Sequence, residues 1–197
     1  MKYLLERKHF IEGGLNVTIV GSPNYISNGH WILHRSKVMN FDMFLDKDLI
    51  KEYLGNDIRN IDDSVMENIQ RTCPDKRWVK TNWEYHNKGT KDDEEEDVYY
   101  GNYSAHAFKH IGTWNGIREQ KIEDGEILFI NSIYIKLFHI DYVYADNPRS
   151  PACIGNNITP KGNHFIIMPM KIDRVPKFLK DAFDGLTQLN VEDTKRG

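Results

Sequence analysis

The clearest pattern of apolar and polar positions lies in residues 126–172. There EILFIN reads as an apolar strand over 126–131, and SIYIKLF as a short amphipathic helix over Ser132–Phe138. Apolar alternation returns at Ile140, Tyr142 and Tyr144, which predicts a second strand, followed by a turn at Asn147-Pro148. A short strand near 152–154 and a final apolar strand over 165–170 complete the order β-α-β-β-β.

The rest of the chain is patterned less sharply. Residues 1–40 read as strands: 2–10 carry mixed signals, Glu12-Gly13-Gly14 is a turn, and 15–20 are apolar and β-branched. Residues 21–29, rich in Ser, Asn, Gly and Pro, predict a loop before strand character resumes over 30–38. Asn40 or Asp42 is positioned to cap one helix whose apolar residues run from Phe41 to Leu54 and which Gly55 ends. Ser64 and Glu67 have capping-box spacing for a second helix over about 65–72, stopped by Pro74. Residues 78–85 read as a strand. A C-terminal helix is expected over 177–183, ended by Gly185, in a tail that covers 173–197.

Six consecutive acidic residues, 92–97, repel one another and predict a solvent-exposed, mobile loop over 87–97. Elsewhere composition is that of an ordinary globular domain: 197 residues, 40% hydrophobic and 28% charged. No run approaches the apolar length of a membrane span, and Glu6, Arg7 and Lys8 interrupt the place of a signal-peptide core. Two cysteines, Cys73 and Cys153, make no disulfide framework. These features predict a cytoplasmic protein. A net charge of −3 argues against a simple basic DNA-binding domain, although one positive face on an acidic body stays compatible with DNA contact. Frequent Lys, Asn and Ile point to an AT-rich source, such as a phage or a low-GC bacterium.

Candidate chemistry is sparse. His30 and His34 sit in strand-like sequence, which spaces them by about 13 Å at roughly 3.3 Å per residue, too far to share an ion. His106 and His110 share a face if helical, but no Glu follows the first as in HExxH, and neither cysteine belongs to a CxxC pair. No phosphate loop, dinucleotide fingerprint or nucleophile elbow occurs. The sequence therefore predicts no enzyme, no cofactor and no metal site. Its acidic run reads first as a solvated insertion and second as a surface for a basic partner, in the manner of a small host-targeting inhibitor or anti-defence protein.

Three motifs in the C-terminal segment resemble the last half-domain of bacterial sliding clamps, the β subunit of the replicative DNA polymerase. They are Asn131-Ser132-Ile133-Tyr134-Ile135 at a helix entry, Asn147-Pro148-Arg149-Ser150-Pro151-Ala152 at a turn, and Ile167-Met168-Pro169-Met170-Lys171-Ile172 at the close. The opening MKYLLERKHFI looks like a clamp start, a strand passing into a helix. The resemblance covers about 47 residues well and implies a single α+β domain over 1–172, rich in antiparallel strands, with an insertion at about 40–115. It also implies a groove for short linear peptides lined by Ile167, Met168, Pro169, Met170 and Ile172, and DNA contact through Lys136 on the helix. The chain departs from the family in length, since full clamps carry three domains, and in the foreign tail after Ile172. That tail contains Thr187-Gln188-Leu189-Asn190-Val191, which is loosely similar to a clamp-binding peptide. The implied function is non-enzymatic work in DNA replication or its modulation, with protein partners, possible double-stranded DNA and a possible homo-oligomer.

Overall fold

A computed structural model describes residues 1–11, 19–21, 23–55, 58–59, 76–87, 103–113, 126–154 and 165–172. The expected helices at 65–72 and 177–183, the acidic loop and the tail lie outside these residues. In chain order the elements are α1 (Lys8–Ile11), β1 (Ile19–Gly21), β2 (Tyr25–Ser27), β3 (Trp31–His34), two 3-10 turns (Arg35–Lys37 and Phe41–Leu45), α2 (Lys47–Leu54) and β4 (Ile58–Arg59). There follow β5 (Lys76–Asn87), β6 (Tyr103–Thr113), β7 (Ile127–Asn131), α3 (Ser132–Phe138), β8 (Tyr142–Tyr144), β9 (Ala152–Cys153) and β10 (Phe165–Ile167). The class is α+β and the pairing is antiparallel except between β1 and β4. Among the described residues no helix is long and apolar enough to cross a membrane.

By internal contacts the chain divides into two compact units, Met1–Pro74 with Pro151–Met168, and Asp75–Ser150 with Pro169–Gly197. In the first unit the strands run β4-β1-β2-β3-β10-β9. Alternation along β3 buries Trp31 and Leu33 and leaves Ile32 and His34 part-exposed. Phe10 packs on Trp31 and Phe44 with ring centroids 5.5 Å away in each case. The stretch 21–29, expected as a loop, instead contains β2. The polar residues there serve a tight hairpin: Asn28 Oδ1 accepts from the N–H groups of His30 (2.9 Å) and Trp31 (3.1 Å), and Gly29 takes φ 88°. A strand three residues long with two Ser and Asn neighbours carries too little apolar signal to stand out from a turn.

The helix expected over 41–54 is split. Phe41–Leu45 forms a 3-10 turn, and α2 begins only after Asp46, whose Oδ1 accepts from the N–H groups of Asp48 and Leu49 at 3.0 Å each. Asp46 is therefore the cap in place of Asn40 or Asp42. Gly55 ends α2 as expected, at φ 68° with its N–H donating to the Lys51 carbonyl at 2.7 Å.

The second unit is built on β8-β5-β6-β7. Its register sets two faces. Glu84, His106 and Ile130 stand in one row, while Tyr85, Ala105 and Asn131 stand in the next and point the other way. Helix α3 packs on β6 and β7, capped by Asn131 Oδ1 on the Ile133 N–H (2.9 Å), and buries Tyr134, Ile135 and Phe138. The opposite face gathers Ala105, Ala107, Ile127 and Phe129 into a core cluster, against which Tyr85, Met170 and Ile172 pack. Thus β7, α3, β8, β9 and β10 follow in the expected order. Their pairing is not confined to one another, because β7 lies beside β6, β8 beside β5, and β10 beside β3 as well as β9.

Candidate functional site

The five residues expected to line a peptide groove fall in different surroundings. In the first unit, Ile167 is wholly buried in β10, opposite Trp31 and Ala152, so it is a core residue and not a groove wall. Met168, one residue on, is 41% exposed while its N–H donates to the His30 carbonyl at 2.8 Å. In the second unit Pro169 and Met170 are part-exposed, and the Met170 N–H donates to the Phe129 carbonyl at 2.8 Å in a single antiparallel bridge. Met170 and Ile172 turn inward onto the cluster of Ala105, Ala107, Ile127 and Phe129, while Lys171 between them is exposed. Residues 169–172 are thus an apolar strip half sunk beside β7, held by one described backbone bond. Lys136 is exposed on α3, three residues from the 40% exposed Ile133, which places both on one side of the helix.

Neither histidine pair is arranged for a shared ion. His34 closes β3 and accepts the Ser36 N–H at its Nδ1 (3.2 Å), a turn-capping role. His106 and His110 lie four apart on β6, a strand and not a helix, opposite Glu84 and Trp78 respectively. Among the described residues no three His, Cys, Asp or Glu side chains gather as a ligand set.

Two arrangements escaped the sequence reading because they form only across strands. The first surrounds Glu84. Between Lys80 and Glu84, β5 carries two more residues than the facing stretch of β6, and Thr81 Oγ1 steadies this bulge by donating to the Ala107 carbonyl at 2.8 Å. Beyond the bulge, Glu84 and His86 on β5 share a face with Ser104 and His106 on β6. The Ser132 hydroxyl, then that of Ser104, then His106 and His86 hold the Glu84 carboxyl below the ordinary range. Ser132 Oγ is buried and makes no hydrogen bond of full geometry, so its influence on Glu84 is that of a nearby dipole and not of a directed bond. His106 Nδ1 is likewise buried without a hydrogen-bond partner.

The second arrangement lies on the opposite face. Arg77 places its guanidinium 4.7 Å from the centre of the Tyr142 ring, and Tyr142 meets Tyr144 edge-on at 6.0 Å. No family model, curated protein or solved structure matches this chain.

Proposed function

We propose that this chain is a non-enzymatic, sliding-clamp-like binding protein that acts in DNA replication or its modulation by holding short linear peptides. Support comes from the three sequence motifs in their order and from the character of the strip at 169–172. The observation that carries the reading is the part-exposure of Pro169 and Met170 on a strip that packs against the Ala105, Ala107, Ile127 and Phe129 cluster. Methionine's flexible, polarizable side chain adapts to varied apolar ligands. Residues 169–172 make one described backbone bond to β7, which leaves strip and ligand free to adjust together.

Selection from a displayed library of short peptides, followed by calorimetry on the enriched sequences, tests this. Met168→Ala removes an exposed side chain and leaves the core alone, so it is expected to weaken binding roughly tenfold without changing stability. A library that yields no enriched sequence, or affinities that Met168→Ala and Met170→Ala both leave untouched, overturns the assignment.

A further inference from the structure

We propose that residues 2–5 of the first unit form an open strand edge that takes up an extended segment of another protein, apolar with interspersed acidic residues. The backbone defines the edge. The Tyr3 N–H donates to the Lys37 carbonyl at 2.7 Å, and the Met39 N–H donates to the Tyr3 carbonyl at 2.8 Å, a parallel bridge between Tyr3 and Val38. Asn40 holds both backbone groups of Leu5 from that same side. In an extended chain successive residues turn their N–H and C=O to opposite sides, so those of Leu4 face away from the bridge. Among the described residues no hydrogen bond reaches the Leu4 N–H or carbonyl, and Leu4 is 53% exposed.

Side chains sort by the same alternation. Leu5 and Val38 are buried on the inner face, whereas Lys2, Leu4, Lys37 and Met39 alternate with them onto the outer face. Exposed Leu4 and Met39 give that face an apolar centre, and Lys2 and Lys37 give it positive charge. Among the described residues neither lysine lies in an ion pair. Acids close in sequence are already engaged, Glu6 by Lys8 at 2.6 Å and Asp42 by Arg35 at 2.9 Å. Unpaired backbone groups at an edge bind an added strand, and side chains at every second position select it. The strand that fits brings apolar residues to Leu4 and Met39 and carboxylates to Lys2 and Lys37. A second copy of this chain fits poorly, since it brings the same lysines and a Glu6 already paired to its own Lys8. Nucleic acid has no peptide backbone to continue the edge.

The edge shares no residue with the strip at 169–172, so either can fail alone. The test is fluorescence anisotropy with a labelled peptide of about six residues, an ordinary strand length. It carries valine at every second position, with glutamate, leucine and glutamate between. One control replaces the glutamates by lysine, and another is N-methylated at the leucine and both glutamates, which removes the donors that would face Leu4. Wild-type protein is expected to bind the first peptide and to bind each control roughly tenfold more weakly or worse. Leu4→Pro deletes an N–H that the fold leaves unused, and Lys2→Glu reverses the local charge. Each should lower affinity roughly tenfold, whereas Lys47→Glu, the same charge change on exposed α2, should not. Equal melting temperatures exclude loss through misfolding, and Lys2→Glu reads the site even where proline distorts it. No binding, equal binding of either control peptide, or full binding by both Leu4→Pro and Lys2→Glu overturns the proposal. Self-association in light scattering that Leu4→Pro abolishes would assign the edge to a second copy and overturn it as well.

Discussion

Asn40 grips both backbone groups of Leu5: its Oδ1 accepts the Leu5 N–H at 3.1 Å, and its Nδ2 donates to the Leu5 carbonyl at 2.9 Å. Leu5 is 1% exposed, so these groups have no ready access to water. One side chain thus substitutes for a strand partner and ties the first residues of the chain to the turn at Phe41–Leu45. Asn40→Ala leaves a donor and an acceptor unsatisfied together and is expected to cost about 2–3 kcal/mol. Asn40→Asp keeps the acceptor but sets a carboxylate against a carbonyl, and should recover little of that loss. Urea denaturation of both variants checks this, and a cost below about 0.5 kcal/mol for Asn40→Ala, the level of an ordinary surface change, would contradict it.

The same residue shows where sequence reading succeeds and where it stops. Asn40 looked like a helix cap because capping signals are local, and Asn, Asp and Ser near position 40 all qualify. Asp46 won because the 3-10 turn at Phe41–Leu45 intervenes, and Asn40 was drawn instead to a partner 35 positions away. Local signals elsewhere were sufficient. Asn131 at the helix entry and the apolar spacing of SIYIKLF place α3 at its observed bounds, Ser132–Phe138. Gly55 likewise marked the end of α2. The short β2 was hidden in a polar stretch, and Ile167, expected in a groove, is core because β3 and β9 flank it on both sides. Neither the Glu84 surroundings nor the Arg77 and Tyr142 contact has a sequence signature, since each depends on strand register between segments tens of residues apart.

Glu84 gives the chain a pH signature. Its carboxyl is held low chiefly by the Ser132 hydroxyl, with Ser104, His106 and His86 adding to the effect. A carboxyl lowered by folding contributes stability that is fully present above its unfolded value of about 4.3 and is lost as pH falls through the folded value. Glu84→Gln lacks this contribution at every pH. The two proteins should therefore differ in stability near neutrality and converge as pH drops below about 4. Chemical denaturation from neutrality down to well below the unfolded value of about 4.3 reads the gap. A gap that stays constant, or that widens toward acid, would show that Glu84 is not held low in the folded protein.

Trp78 is the structural anchor of the second unit. It is wholly buried at the end of β5 that pairs with β8, and its Nε1–H donates to the Ala145 carbonyl at 2.8 Å. The Ala145 N–H in turn donates to the Lys76 carbonyl at 3.0 Å, so ring and backbone together fix the chain where it leaves β8. Trp78→Phe would leave a void and an unsatisfied buried carbonyl at one stroke, with an expected loss of about 2–4 kcal/mol. Trp83, five residues along on the bulge and 40% exposed, provides the internal comparison. Trp83→Phe should stay within about 0.5 kcal/mol of wild type. The same substitution at two sites on one strand separates burial and hydrogen bonding from side-chain identity. Equal losses in thermal or urea unfolding would show that Trp78 does not anchor the sheet through Ala145.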